Sequence, residues 1–289
     1  MLTRRQKIKY LCNSILALGQ EVQCPFCKSM LYEEIDRKYW VTRLMECKNC
    51  HLYYRFPVDK VEVNDAFYQT EYQESDAMAS DLPDDETLRK EMESGFASNV
   101  KHGARFLNLF NRLFPDRPTL RIVDYCCSWG YMAHQFKQAG HEVQGYEISR
   151  PRAAFGTEKM GLNIYTREQD LKGNNDIFFS SHVIEHHPDI GGMLRLAEKI
   201  LAPGGYFIAV SPNGSPPFRE KFPESFHLAW GKVHPNYLNG HFYQYIFRDR
   251  AHYIGSSPFN LKHIGPLRPK EMMVDDLSGE ELLVIARFG

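Results

Sequence analysis

From residue 120 onward the chain alternates short β-branched runs with stretches of helical period, and nothing else in the sequence restricts the fold as tightly. Residues 120–125 read as a strand, 129–139 as a helix and 142–147 as a second strand. Strand-like runs recur at 162–165, 176–181 and 206–210, and a helix over 193–201 stops at Ala202-Pro203-Gly204-Gly205. Strands that alternate with helices build a mostly parallel, doubly wound α/β sheet covered on both faces. In such a sheet a ligand lies at the carboxyl ends of the strands, where their order reverses.

The first 56 residues follow another rule. Cys24-Pro25-Phe26-Cys27 and Cys47-Lys48-Asn49-Cys50 each offer two thiolates from a tight turn, and the 19 residues between them suit a returning hairpin. Tyr32, Ile35, Tyr39, Trp40 and Val41 supply strand composition there. Four sulfurs at Cys24, Cys27, Cys47 and Cys50 predict a closed tetrahedral zinc site with no open position, hence a structural metal. His51 is a possible substitute ligand. Cys12, Cys126 and Cys127 are left over.

The expected organisation is an N-terminal helix over 1–20, a zinc ribbon over 21–56, a helical connector or lid over 57–116 and an α/β domain over 117–289. Ile8, Leu11, Ile15 and Leu18 give the first helix an apolar face. Arg4, Arg5, Lys7 and Lys9 before it imitate a signal peptide, but Asn13 and Ser14 interrupt the apolar part, so the expected compartment is the cytoplasm. No apolar run is long enough for a membrane span. A formal charge of −1 offers no global field for phosphate backbones, which makes nucleic acid a minority partner.

Asp124-Tyr125-Cys126-Cys127-Ser128-Trp129-Gly130 ends the first strand of the alternating region, and Glu147 ends the second, 17 residues after Gly130. His182-Val183-Ile184-Glu185-His186 follows the fourth strand, and Leu201-Ala202-Pro203-Gly204-Gly205 and Ser211-Pro212-Asn213 bracket the fifth. These residues resemble the class I S-adenosylmethionine-dependent methyltransferases, and with the zinc ribbon the chain resembles bacterial members that tailor sugars, polysaccharides and natural products. The resemblance implies a seven-stranded sheet closed by strands at 260–264 and 281–288. It implies S-adenosylmethionine held by Asp124, Cys126, Ser128, Gly130, Glu147, Ile148 and Asp170, with Glu147 on the ribose hydroxyls, Asp170 toward the adenine amine and Tyr68 and Tyr72 as covering aromatics. In the turn Cys126 and Ser128 stand where that family usually has glycine. Missing glycines argue against a dinucleotide, whose pyrophosphate needs bare backbone.

Methyl transfer from a sulfonium is an in-line displacement, so the protein must align the acceptor and remove a proton from a hydroxyl or carbon acid. His186 is the expected general base, oriented by Glu185 or His182. The order H-x-x-E-H also spells an inverted zinc-protease motif, which needs its histidines on one helix; Pro188 makes a loop the better reading. A divalent ion at His182, Glu185 and His186 is the alternative, by similarity to ubiquinone-pathway O-methyltransferases. Residues 216–258 form a long insertion with Phe218, Phe222, Phe226, Trp230, Tyr237, Phe242 and Tyr243 as a prospective aromatic wall for a sugar-like acceptor, and with His227, His234 and His241 as reserve bases. Two other readings stay open. One is an RNA base methyltransferase, suggested by Lys28, Arg37, Lys38, Arg43, Lys48 and Arg55 on the ribbon. The other is a degenerate binding module, suggested by the two missing glycines.

Overall fold

The computed structural model describes residues 11–12, 14–15, 19–58, 81–97, 102–231 and 234–289. Along the chain run β1 (Tyr32–Lys38), β2 (Thr42–Cys47), β3 (Tyr53–Phe56), α1 (Asp85–Glu93), α2 (Ala104–Leu113), β4 (Arg121–Tyr125), α3 (Tyr131–Gln138), β5 (Glu142–Tyr146), α4 (Arg150–Met160), β6 (Ile164–Tyr165), β7 (Asn175–Ser181) and α5 (Ile190–Ile200). β8 (Leu201–Pro212), α6 (Pro216–Lys221), α7 (Pro223–Ala229), β9 (Asn236–Tyr237), α8 (Gly240–Ile246), β10 (His252–Ser256), β11 (Met272–Val274) and β12 (Glu281–Arg287) complete it.

The large sheet has eight strands in the order β11-β10-β12-β8-β7-β4-β5-β6. β5, β4, β7 and β8 pair in parallel, and β12 runs antiparallel between β8 and β10. Period-two alternation assigns side chains to its two faces. Ile122, Ile177, Phe179, Ile208, Leu283 and Ile285 meet α2 and α3, while Val123, Phe178, Phe207, Val284 and Ala286 meet α5 and α8. Helix α2 presents Phe106, Leu109, Phe110 and Leu113 at helical spacing to the first face. Asp189 caps α5 by accepting the Gly192 N–H at 2.8 Å.

Two strand expectations change. Residues 260–264 are not a strand; Leu261–His263 is a 3₁₀ turn, and the neighbour of β12 is β10, which lies inside the span read as insertion. All five residues of β10 are buried, so no polar alternation marks it, and short β11 adds an eighth strand to the seven expected. In the ribbon, Tyr39, Trp40 and Val41 form the hairpin turn between β1 and β2 instead of strand, with Tyr39 and Trp40 at φ of 53° and 64°.

The ribbon does not stand alone. Its sheet reads β1-β2-β3-β9, and the fourth strand comes from the insertion. Leu44 and Tyr53 share a small core with Phe218, Phe226, Trp230 and Tyr237, each buried side chain contributing about 2 kcal/mol. That corrects the aromatic wall: these four rings face the ribbon and are closed to an acceptor, Phe242 and Tyr243 are buried in the main core, and Phe222 alone of the set is exposed. Residues 11, 12, 14 and 15 are helical and residues 19 and 20 form a turn instead of continuing the expected first helix; its other residues, and Tyr68 and Tyr72, lie outside the described residues.

Candidate active site

The strand order reverses beside β4, whose carboxyl end carries the turn 126–130. Cys126, Ser128 and Gly130 sit at φ of 56°, 53° and 85°, the left-handed conformations that glycines would adopt with least strain. The backbone path of a glycine-rich turn therefore survives without two of its glycines. Gly130 cannot be relaxed in the same way, since a Cβ there would come within 2.4 Å of the Leu162 side chain.

Backbone amides hold the turn. Ser128 N–H donates to Glu147 Oε2 at 2.8 Å and Ser149 N–H to Glu147 Oε1 at 2.8 Å, while Cys127 N–H donates to the Tyr146 carbonyl at 2.9 Å. Glu147 is buried, which raises its pKa against the pull of those amides and of Arg152. Each of its oxygens keeps a second lone pair for a hydroxyl. Arg152, buried on α4, donates to Ser128 Oγ at 2.9 Å. Asp124 is buried with Oδ2 lacking a hydrogen-bond partner among the described residues, and burial pushes its pKa up to about 7. A carboxylate oxygen without a partner among the described residues, beside this turn, suits a cationic ligand such as a sulfonium with an ammonium group.

Ile148 follows Glu147, half-buried against the core. Asp170 forms a bidentate pair with Arg167, both contacts at 2.8 Å, at the rim of the strand ends. No motif announces the relay that runs through His187, Tyr125 and Glu168. The Asp189 N–H donates to His187 Nδ1 at 3.1 Å, so Nε2 carries the proton and donates to Tyr125 Oη at 3.0 Å. Tyr125 in turn donates to Glu168.

Residues 182–187 form a turn, as Pro188 predicts. Glu185 is fully buried with neither side-chain oxygen hydrogen-bonded among the described residues. His182 Nδ1 and His186 Nε2 lie 3.6 and 3.7 Å from its Oε1, beyond hydrogen-bond length. His182 Nε2 bonds Glu281 Oε1 at 2.8 Å. Partial desolvation of this half-exposed ring disfavours the imidazolium, but the flanking carboxylates Glu185 and Glu281 outweigh it and raise His182 to about 10. A ring held protonated cannot act as a base.

The expected ion triad changes in one member. Donor atoms of Glu185, His186 and His234 lie within 4.8 Å of one another, and the His186 and His234 rings are 4.7 Å apart. His234 Nδ1 donates to the Ala229 carbonyl, which leaves Nε2 with a lone pair. His182 is replaced because Glu281 engages it from β12. Of the other insertion histidines, His227 bonds Asp36 Oδ2 at 2.8 Å and His241 packs on His51.

Cys24, Cys27, Cys47 and Cys50 converge with all four sulfurs within 4.8 Å, Cys24 to Cys50 at 3.6 Å and Cys27 to Cys47 at 3.4 Å. A tetrahedron with metal–sulfur bonds of about 2.3 Å has edges of about 3.8 Å, so the cluster fits a zinc ion. A hydrogen bond from Cys50, opposed by burial, lowers the Cys24 thiol to about 6.

Residues 96–251 match the family model described as "Methyltransferase domain". A ubiquinone biosynthesis O-methyltransferase of Caulobacter sp. (strain K31) is 33% identical over 104 residues, which cover 32% of this chain and 41% of that relative. The plantazolicin methyltransferase BpumL, solved with S-adenosylhomocysteine and a monoazolic desmethylPZN analogue, superposes with a TM-score of 0.50 at 16% identity, covering 79% of this chain and 96% of that one. BamL, solved with a triazolic analogue, gives 0.50 at 12% identity over 78% and 96%. At such identities the structural likeness establishes the fold, and the family model spans more than half of the sequence. The chain belongs to the methyltransferase domain family and has the α/β fold of its S-adenosylmethionine-dependent members.

Proposed function

We propose that the chain transfers a methyl group from S-adenosylmethionine to an oxygen or carbon of a small-molecule acceptor, a sugar or natural-product intermediate. The observation that carries this reading is the Glu185, His186 and His234 group, set beyond β7 beside the strand end that bears the cofactor turn. The cofactor supplies a methyl already activated on a sulfonium. Glu147 binds the ribose diol through its spare lone pairs, Asp170 meets the adenine amine and Ile148 packs on the ring. His186 removes the acceptor proton, with Glu185 stabilising the imidazolium that results. The names of the Caulobacter and plantazolicin enzymes support a small-molecule acceptor. RNA is disfavoured because Arg37 and Arg43 pair with Glu34, Lys48 with Glu33 and Glu46, and Arg55 is buried.

The unbonded oxygens of buried Glu185 favour a second assignment, in which Glu185, His186 and His234 hold a divalent ion that acidifies the acceptor hydroxyl. Cys24, Cys27, Cys47 and Cys50 hold one structural zinc. Calorimetry with S-adenosylmethionine comes first: micromolar binding is expected, and none would reduce the fold to a binding module. Labelled methyl transfer is then screened over hydroxylated sugars, phenols and RNA, and label on RNA alone refutes the proposal. After chelation and return of one zinc per chain, full turnover supports His186 as base, whereas dependence on added Mg²⁺ or Mn²⁺ supports the ion.

A further inference from the structure

We infer that Asn236 is a positioning residue through which the four-cysteine module sets His234 against Glu185 and His186, so that the module is a working part of the acceptor side. The inference rests on the assignments of that side and of zinc made above.

The link is made of backbone. β9 is only Asn236 and Tyr237, a strand too short to persist unaided, and it pairs with Tyr54 and Tyr53 of β3, which begins three residues after Cys50. Arg55 N–H donates to the Pro235 carbonyl at 2.8 Å, extending the pairing toward His234. The other side of Asn236 clamps the turn 182–187. Its N–H donates to the Glu185 carbonyl at 3.1 Å and its Nδ2 to the His187 carbonyl at 2.9 Å. One buried residue is thus a strand partner of the module and a double donor to the loop carrying Glu185 and His186.

Further contacts keep the insertion in place. Asn239 Nδ2 donates at 2.7 Å to the carbonyl of His51, next to the last cysteine. From β1, Asp36 Oδ2 accepts both the Trp230 indole N–H and a His227 bond at 2.8 Å, and Lys38 donates to the Leu228 and Trp230 carbonyls. Those bonds fix the end of α7, where the Ala229 carbonyl orients the His234 ring. By contrast, the cofactor turn takes its bonds from β5 and the start of α4. Loss of the module's metal should therefore free His234 while S-adenosylmethionine still binds.

The test is the ring-to-ring nuclear Overhauser effect between His186 and His234 in histidine-labelled full-length protein, read beside zinc content and calorimetry. In the zinc-loaded parent the signal should be present. A chelator should abolish it with the S-adenosylmethionine dissociation constant held within twofold, and one equivalent of zinc should restore it. Asn236→Ala should lose the signal with one zinc still bound per chain; should that variant fold poorly, the chelation arm gives the same readout on native sequence. A signal that persists without zinc, or one whose loss is matched by loss of cofactor affinity, overturns the inference. Since the readout involves no methyl transfer, a lost signal with unchanged turnover would refute the acceptor-side reading and leave the link intact.

Discussion

The cofactor turn and the acceptor loop end adjacent parallel strands, β4 and β7, yet they are assembled by opposite means. The turn is local: residues 124–130 and Glu147 supply nearly all of it, held by backbone amides in a fixed path. The acceptor loop gathers Glu185, His234, Glu281 and Asn236 from distant segments, through side-chain bonds and the backbone pairing of β9. On the proposed reading, a ligand shared by a whole family would be met by backbone geometry, whose left-handed path Cys126 and Ser128 keep without glycine. On the same reading, an acceptor particular to one enzyme would be met by side chains gathered from separate segments, His234 on the insertion among them.

The contrast is broken most severely at His186. His186→Ala should lower turnover by about 10² to 10⁴-fold with cofactor affinity within twofold, measured by single-turnover kinetics and calorimetry. A variant within tenfold of the parent would move the base to His234. On the cofactor side, Glu147→Ala should weaken S-adenosylmethionine by roughly 10 to 100-fold, because two buried amides lose their acceptor along with the ribose hydroxyls. A dissociation constant within twofold would mean that the turn holds itself.

A smaller effect is expected at Glu281. His182 gains stability from its charge below its unfolded pKa of about 6.5, and that contribution disappears as pH rises through about 10. Glu281→Gln removes one of two supporting carboxylates, so the His182 midpoint should fall, read by nitrogen NMR between pH 6 and 10. An unchanged midpoint would assign the whole effect to Glu185. The least change should come from Cys126→Gly. Relief of the left-handed strain, about 1 kcal/mol, is offset by the greater freedom of glycine in the unfolded chain. Cofactor affinity should stay within threefold; a large gain would show that the Cys126 side chain crowds the site.

This division also explains what could be read in advance. Asp124, Gly130 and Glu147 stand at spacings set by one strand, one turn and one helix, so local pattern located them. Four cysteines in two pairs announced their own convergence. His234 had no such signal, because its partners lie some fifty residues upstream and the register of a two-residue strand decides their meeting. The strand at 252–256 was hidden by burial on both faces. The insertion's aromatics were misassigned for a related reason: rings that close a core and rings that line a pocket have the same composition.

The three tryptophans happen to sample these regions one each. Trp40 tops the ribbon hairpin at 88% exposure, Trp129 is fully buried in the cofactor turn, and Trp230 is 2% exposed where the insertion meets the ribbon. Intrinsic fluorescence thus carries three separable reporters. Melting of the ribbon and insertion would move Trp230 emission to the red while Trp129 stays blue, and Trp40, already in water, would serve as the internal reference for both.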